Sequence, residues 1–247
     1  MLVLEASRVV AASCVIAALA LAACAPAAHP PVLLFAGSGT SPNDVTAVKA
    51  VLASRNLKFA TVDSAQLNAM SARQLGAYRL LIVPGGNYIA MGDALSAATA
   101  ANVHNAVQGG LHYLGLCAGG LLAGNVEHHG FDLAGGVRFG FHALVDQGIH
   151  KAAVKITTVD GAALDHYWED GPQFTGWGAV VGRYPDGTPA IVQGACGKGR
   201  VLLVGTHPEA PDAWGRGMAF STPPSAANAL AGALVAAALN GTALPHF

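Results

Sequence analysis

Short apolar runs, each followed by a helical pattern, constrain this chain more than any other feature. "VLLFAG" (Val32 to Gly37), "RLLIVPGG" (Arg79 to Gly86) and "LHYLGLC" (Leu111 to Cys117) are continuous apolar stretches. Such stretches read as strands buried on both faces. "TSPNDVTAVKAVLASRN" lies between the first run and "KFATVD" (Lys58 to Asp63), a further strand. Ser41 can cap a helix there, Pro42 suits its first position, and Val45, Val48, Val51 and Leu52 share one face. Met91 to Val107 is Ala-rich and reads as one helix, and Ala118 to Gly124 begins the next. This alternation predicts an α/β domain, a doubly wound parallel sheet with helices on both faces.

The pattern changes beyond Gly124. "VRFGFHALV", "AAVKITTV", "AVVGRYPDGTPAIVQ" and "GRVLLVGTH" are strand-like, with turn residues between them. Asp-Gly in "YPDGTP" suits a hairpin turn that needs positive φ. An antiparallel extension is therefore expected in the C-terminal half. Ser225 to Leu239 reads as a docked terminal helix, interrupted by Ser225, Asn228 and Gly232.

The first 30 residues read differently. Arg8 precedes an apolar stretch from Val9 to Ala23, shorter than the roughly 20 residues a membrane-spanning helix needs. Residues 1–23 are the layout of an export signal. Leu21-Ala22-Ala23-Cys24 resembles a bacterial lipobox, in which Cys24 is lipidated and becomes the first mature residue. An ordinary secretory signal cleaved near Ala23 is the other reading. Residues 24–30 form a short tether, and one domain spans 31–247. The expectation is an exported protein, anchored to a membrane of the cell envelope through lipid on Cys24.

Composition removes several function classes. Charged residues are 11% and the net charge is -1, with no basic patch, so nucleic acid is not an expected partner. No Cys-x-x-Cys or His-Glu-x-x-His pattern occurs, so no metal or cofactor is expected. Of four cysteines, Cys14 falls in the signal and Cys24 at its end, leaving Cys117 and Cys196, a poor basis for a disulfide scaffold. Adjacent His128 and His129 read as loop residues.

"G-L-C-A-G", Gly115 to Gly119, has the Gly-x-nucleophile-x-Gly spacing, between an apolar strand and a helix. That context lifts a nucleophile onto a strained turn at a strand's carboxyl end. A helix N-terminus beneath it favours a thiolate and an oxyanion. A small buried thiol in a Gly-rich seam fits the same five residues. Two other stretches bear on the choice. "VPGG" brings Gly85 and Gly86 beside the turn, where backbone N–H groups can face an oxyanion. "GTHPEA" brings His207 to a strand's carboxyl end, with Glu209 two residues on. A thiol, a base and an orienting carboxylate suit acyl transfer.

These elements, in this order, resemble the class I glutamine amidotransferase-like superfamily. "PGGNY", "GLCAGG", "YWEDGPQF" and "GRYPDGTPAIV…GKGRVLLVGTHPEA" are most similar to the biotin-protein ligase N-terminal domain family, over nearly all of Pro31 to Asn240. The resemblance implies a flavodoxin-like fold and a triad of Cys117, His207 and Glu209. Gly86 and Ala118 would hold the oxyanion, and Gly85, Leu121 and Asp170 would line the site. The implied partner is a small molecule or peptide carrying an acyl or amide group. One departure stands out: glutaminases of this kind carry Gln four residues after the nucleophile, and here that residue is Leu121. Hydrolysis of glutamine is therefore not expected, nor is biotin ligation. The expected activity is that of a cysteine-nucleophile hydrolase or acyltransferase; the alternative is a binding module on the same fold without turnover.

Overall fold

The computed structural model describes residues 29–124 and 128–247. The signal segment and Cys24 lie outside the described residues. Five strands form the parallel half of a single sheet: β1 (Val32–Phe35), β2 (Phe59–Val62), β3 (Leu80–Val83), β4 (His112–Leu116) and β11 (Gly199–Val204). Its other half is antiparallel: β6 (Lys151–Thr158), β7 (Ala163–Glu169), β9 (Ala179–Arg183) and β10 (Pro189–Cys196). The order is β2-β1-β3-β4-β11-β10-β9-β6-β7. β11 thus joins the halves, parallel to β4 on one side and antiparallel to β10 on the other.

Alternate residues of the parallel strands enter opposite cores, as a period of two requires. Val32, Leu34, Leu80 and Ile82 meet the layer of α1 (Pro42–Ser54) and the terminal α7 (Asn228–Asn240). Leu33, Phe35, Leu81 and Val83 meet the layer of α2 (Ser64–Asn68), α3 (Ala72–Leu75) and α5 (Ala97–Gly109). α7 buries Leu234 and Val235 against this sheet, as a docked helix does. Among the described residues no helix is long and apolar enough to cross a membrane.

Two local expectations are corrected. The Ala-rich stretch is two helices, α4 (Tyr88–Asp93) and α5, broken at 94–96. Ser96 caps α5 by accepting from the Thr99 N–H at 3.1 Å, while Asn68 holds the break through the Ser96 N–H and the Ala94 carbonyl. "VRFGFHALV" is not one strand of the main sheet. β5 (Arg138–Phe141) pairs instead with β8 (Pro172–Thr175) in a separate two-stranded sheet, and a 3₁₀ turn follows.

Candidate functional site

The carboxyl ends of β1, β3, β4 and β11 point to one edge, so the loops after them converge. Cys117 follows β4 directly and caps α6 (Ala118–Leu122) with φ 48° and ψ −108°. A non-glycine residue with positive φ is strained, and such strain gathers at functional turns. The flanking glycines let the turn close: a Cβ on Gly115 would lie 2.6 Å from the Gly119 carbonyl carbon, and one on Gly119 would lie 2.7 Å from the carbonyl carbon of Val83. Helix and strands therefore touch backbone to backbone around the thiol.

Cys117, Ala118, Leu121, Gly86, Asp170 and His207 line one cavity of about 390 Å³. Gly85 does not line it but backs onto the Asp44 carboxylate and the His207 ring. Cys117 is 6% exposed, and its thiol donates to the Glu169 carbonyl at 3.5 Å. Ala118, as the first residue of α6, has an N–H that the helix itself leaves free. Asp170, at φ 46°, pairs with His150 at 2.8 Å and lies on the cavity wall.

His207 is 4% exposed, in the loop after β11. Its backbone N–H donates to the Tyr167 carbonyl at 2.9 Å, which ties the loop to β7. Its Nδ1 and Glu209 Oε1 are hydrogen-bonded at 3.0 Å. Asp44 Oδ1, from the first turn of α1, lies 2.9 Å from the same nitrogen. The rings of Tyr167 and Trp214 pack edgewise on the imidazole, with centroids 5.7 and 5.8 Å away. Burial alone would push the imidazole down. Its acidic neighbours, Cys117 first and then Asp44, outweigh burial and hold His207 well above its usual range.

Sequence reasoning missed Asp44. Its one legible trait is an acidic residue in the first turn of a helix that follows β1, which ordinarily reads as favourable placement in the helix dipole. The oxygen of Glu169, Tyr88 and the exposed Phe141 also reach the cavity without any sequence signal.

Asp44, His207 and Glu209 bring three donor atoms within 4.8 Å of one another. The 2.9 and 3.0 Å spacings from Nδ1 are those of hydrogen bonds and ion pairs. Ligands on a tetrahedral zinc at 2.0–2.2 Å would stand roughly 3.3 Å apart or more. As placed, the three are joined by a hydrogen-bonding contact and an ion pair. His128 pairs with Asp93 at 2.7 Å, and His129 Nδ1 lies 3.0 Å from the Gly92 carbonyl. Cys196 ends β10 opposite Gly199, the start of β11, and so sits at the edge of the sheet away from Cys117.

Residues 31–134 match the family described as biotin-protein ligase, N terminal. The biotin-protein ligase N-terminal match contains Asp44, Gly85, Gly86, Cys117 and Leu121; His207 and Glu209 lie beyond its end. No curated protein matches the chain. Among solved structures, a glutamine amidotransferase is similar with a TM-score of 0.57 and 21% identity, over 72% of this chain and 90% of that one. A glutamine amidotransferase from Thermotoga maritima gives 0.54 and 12%, over 85% and 98%. The exo-beta-1,4-mannosidase Op5Man5 from Opitutaceae bacterium strain TAV5 gives 0.55 and 15%, over 82% of this chain but 35% of that one. The fold is that of the glutamine amidotransferases, a flavodoxin-like sheet with an antiparallel extension.

Proposed function

We propose that the protein is an exported, lipid-anchored cysteine hydrolase or acyltransferase. What carries this reading is Cys117 at positive φ, on a strand-to-helix turn, in one cavity with a His207 that is bonded to Glu209. Cys117 gives its thiol proton to His207, and Sγ attacks an amide or related acyl carbon, forming a carbon–sulfur bond. The carbonyl oxygen becomes an oxyanion held by the N–H groups of Gly86 and Ala118. His207 gives its proton to the departing amine as the carbon–nitrogen bond breaks. It then takes a proton from water or an acceptor nucleophile, whose attack releases the acyl group and the thiolate. Leu121, Ile89 and Phe141 give the cavity an apolar side, which favours an apolar acyl group.

The test is labelling of the purified domain with iodoacetamide at pH 6, where an ordinary thiol is mostly protonated. Rapid labelling of Cys117 that His207→Ala slows at least tenfold is the expected result. Equal rates in the two proteins would favour the binding-module alternative, for which Leu121 and the engaged Cys117 thiol speak. Lipid anchoring is tested separately by Cys24→Ala, which should release the protein from the membrane fraction. A variant that stays membrane-bound after high-salt washing counts against the anchor.

A further inference from the structure

Two buried carboxylates meet one imidazole nitrogen here, where a triad needs one. Their surroundings differ. Asp44 is in the first turn of the 13-residue helix α1, where N–H dipoles favour a negative charge, and the Ser41 hydroxyl faces it. Glu209 is 4% exposed, and its Oε2 has no hydrogen-bond partner. Around it stand Val48, Leu116, Leu234 and Val235, which line a small apolar cavity against its side chain. A buried charge without a partner is costly, whereas a protonated carboxyl in apolar surroundings is not.

The directions also differ. His207 Nδ1 and Glu209 Oε1 meet in hydrogen-bonding geometry at 3.0 Å. Asp44 Oδ1 is as near, at 2.9 Å, but makes an ion pair without a hydrogen bond.

We infer that the two carboxyls divide the work: Asp44 is the anion that keeps His207 protonated, and Glu209 is a neutral acid that only orients the ring. This rests on the proposed triad for its catalytic meaning, although the charge division itself does not. Asp44 is then a positioning residue acting through His207. Burial would raise Asp44, but the charge of His207 prevails and lowers it. Burial raises Glu209, and His207 offsets that only in part. The other titratable groups facing the imidazole are Cys117 after β4, Tyr167 and His166 on β7, and Tyr184 after β9. His166 is kept neutral, pushed down to about 3 by burial, and both tyrosines are raised, so none of these three competes as an anion at neutral pH.

The experiment is an NMR titration of the His207 ring in the wild-type protein, Asp44→Asn and Glu209→Gln. Gln reproduces the shape and the accepting oxygen of a neutral Glu. Expected is a fall in the His207 midpoint of more than one pH unit in Asp44→Asn and a smaller fall in Glu209→Gln. The Glu209 carboxyl carbon should report the protonated form at neutral pH. Equal falls, a larger fall in Glu209→Gln, or an ionised Glu209 would overturn the inference. Iodoacetamide labelling of the same proteins at pH 6 should slow tenfold or more in Asp44→Asn and less than threefold in Glu209→Gln. If the ring titrates as expected but Cys117 labels no faster than a free thiol in all three, the charge division stands and the nucleophile fails. Amide dispersion in the same spectra shows whether each variant is folded.

Discussion

Gly85 leaves empty the volume that the Asp44 carboxylate occupies. A Cβ at that position would overlap Asp44 Oδ1 and lie 2.7 Å from His207 Cε1. The carbonyl of Gly85 also accepts from the Ser41 N–H at 3.0 Å, so the glycine holds the start of α1 on the end of β3. The approach of α1 to the imidazole thus depends on a missing side chain in another loop.

Gly85→Ala should therefore act as an overpacking substitution, costing about 1–3 kcal/mol. Urea unfolding at pH 7 reads that loss. The same variant should push Asp44 off His207 and slow Cys117 labelling at pH 6 by about as much as Asp44→Asn does. A variant as stable and as reactive as wild type would show that the loop simply moves aside.

The parts of the fold that were legible in the sequence are those governed by neighbours along the chain. Continuous apolar runs bounded by glycine are buried strands because both faces of the sheet are covered, and all of β1, β3 and β4 follow that rule. Gly115 to Gly119 was legible because a sharp turn makes demands on adjacent residues. The break between α4 and α5 was not, since nothing in an alanine-rich stretch marks it. Asn68, about 28 residues earlier, makes the contacts that hold it. Asp44 was hidden for a similar reason. Its meaning comes from His207, 163 residues away, which the start of α1 reaches although β3 and β4 separate β1 from β11 in the sheet.

His166 gives a prediction for stability. Its Nδ1 lies 2.8 Å from Thr206 Oγ1, and its Nε2 is buried without a partner. Burial holds the ring neutral, with Asp165 opposing and His207 assisting, down to about pH 3. The unfolded chain takes up that proton near pH 6.5. Between these values the unfolded state binds more protons, so stability falls as pH falls. From pH 6.5 to 5 this one group should cost roughly 2 kcal/mol. The raised Glu209 acts in the opposite sense over the acid range, so only a comparison isolates His166. Urea midpoints at pH 7 and pH 5 should converge markedly in His166→Gln relative to wild type. An unchanged slope would place water on Nε2.

Leu121 makes the last prediction. It sits one turn after Cys117 on α6 and lines the cavity while only 7% exposed. The substrate amide of glutamine would meet an aliphatic side chain there. An unpaired buried amide costs roughly 1–3 kcal/mol, which is about ten- to a hundredfold in recognition. The α-carboxylate of glutamine fares no better: among the described residues no Lys or Arg lines the cavity, while Glu169 and Asp170 do. Wild-type protein supplied with millimolar glutamine should release no more ammonia than Cys117→Ala. Leu121→Gln supplies the missing hydrogen-bond partner but no cation, so it should raise that release by tenfold at most. A neutral aryl amide with an apolar acyl group should turn over faster than glutamine in the wild type, and the order should narrow in Leu121→Gln. Robust ammonia release by the wild type, lost in Cys117→Ala, would show that another residue binds the amide and that Leu121 does not set the choice of substrate.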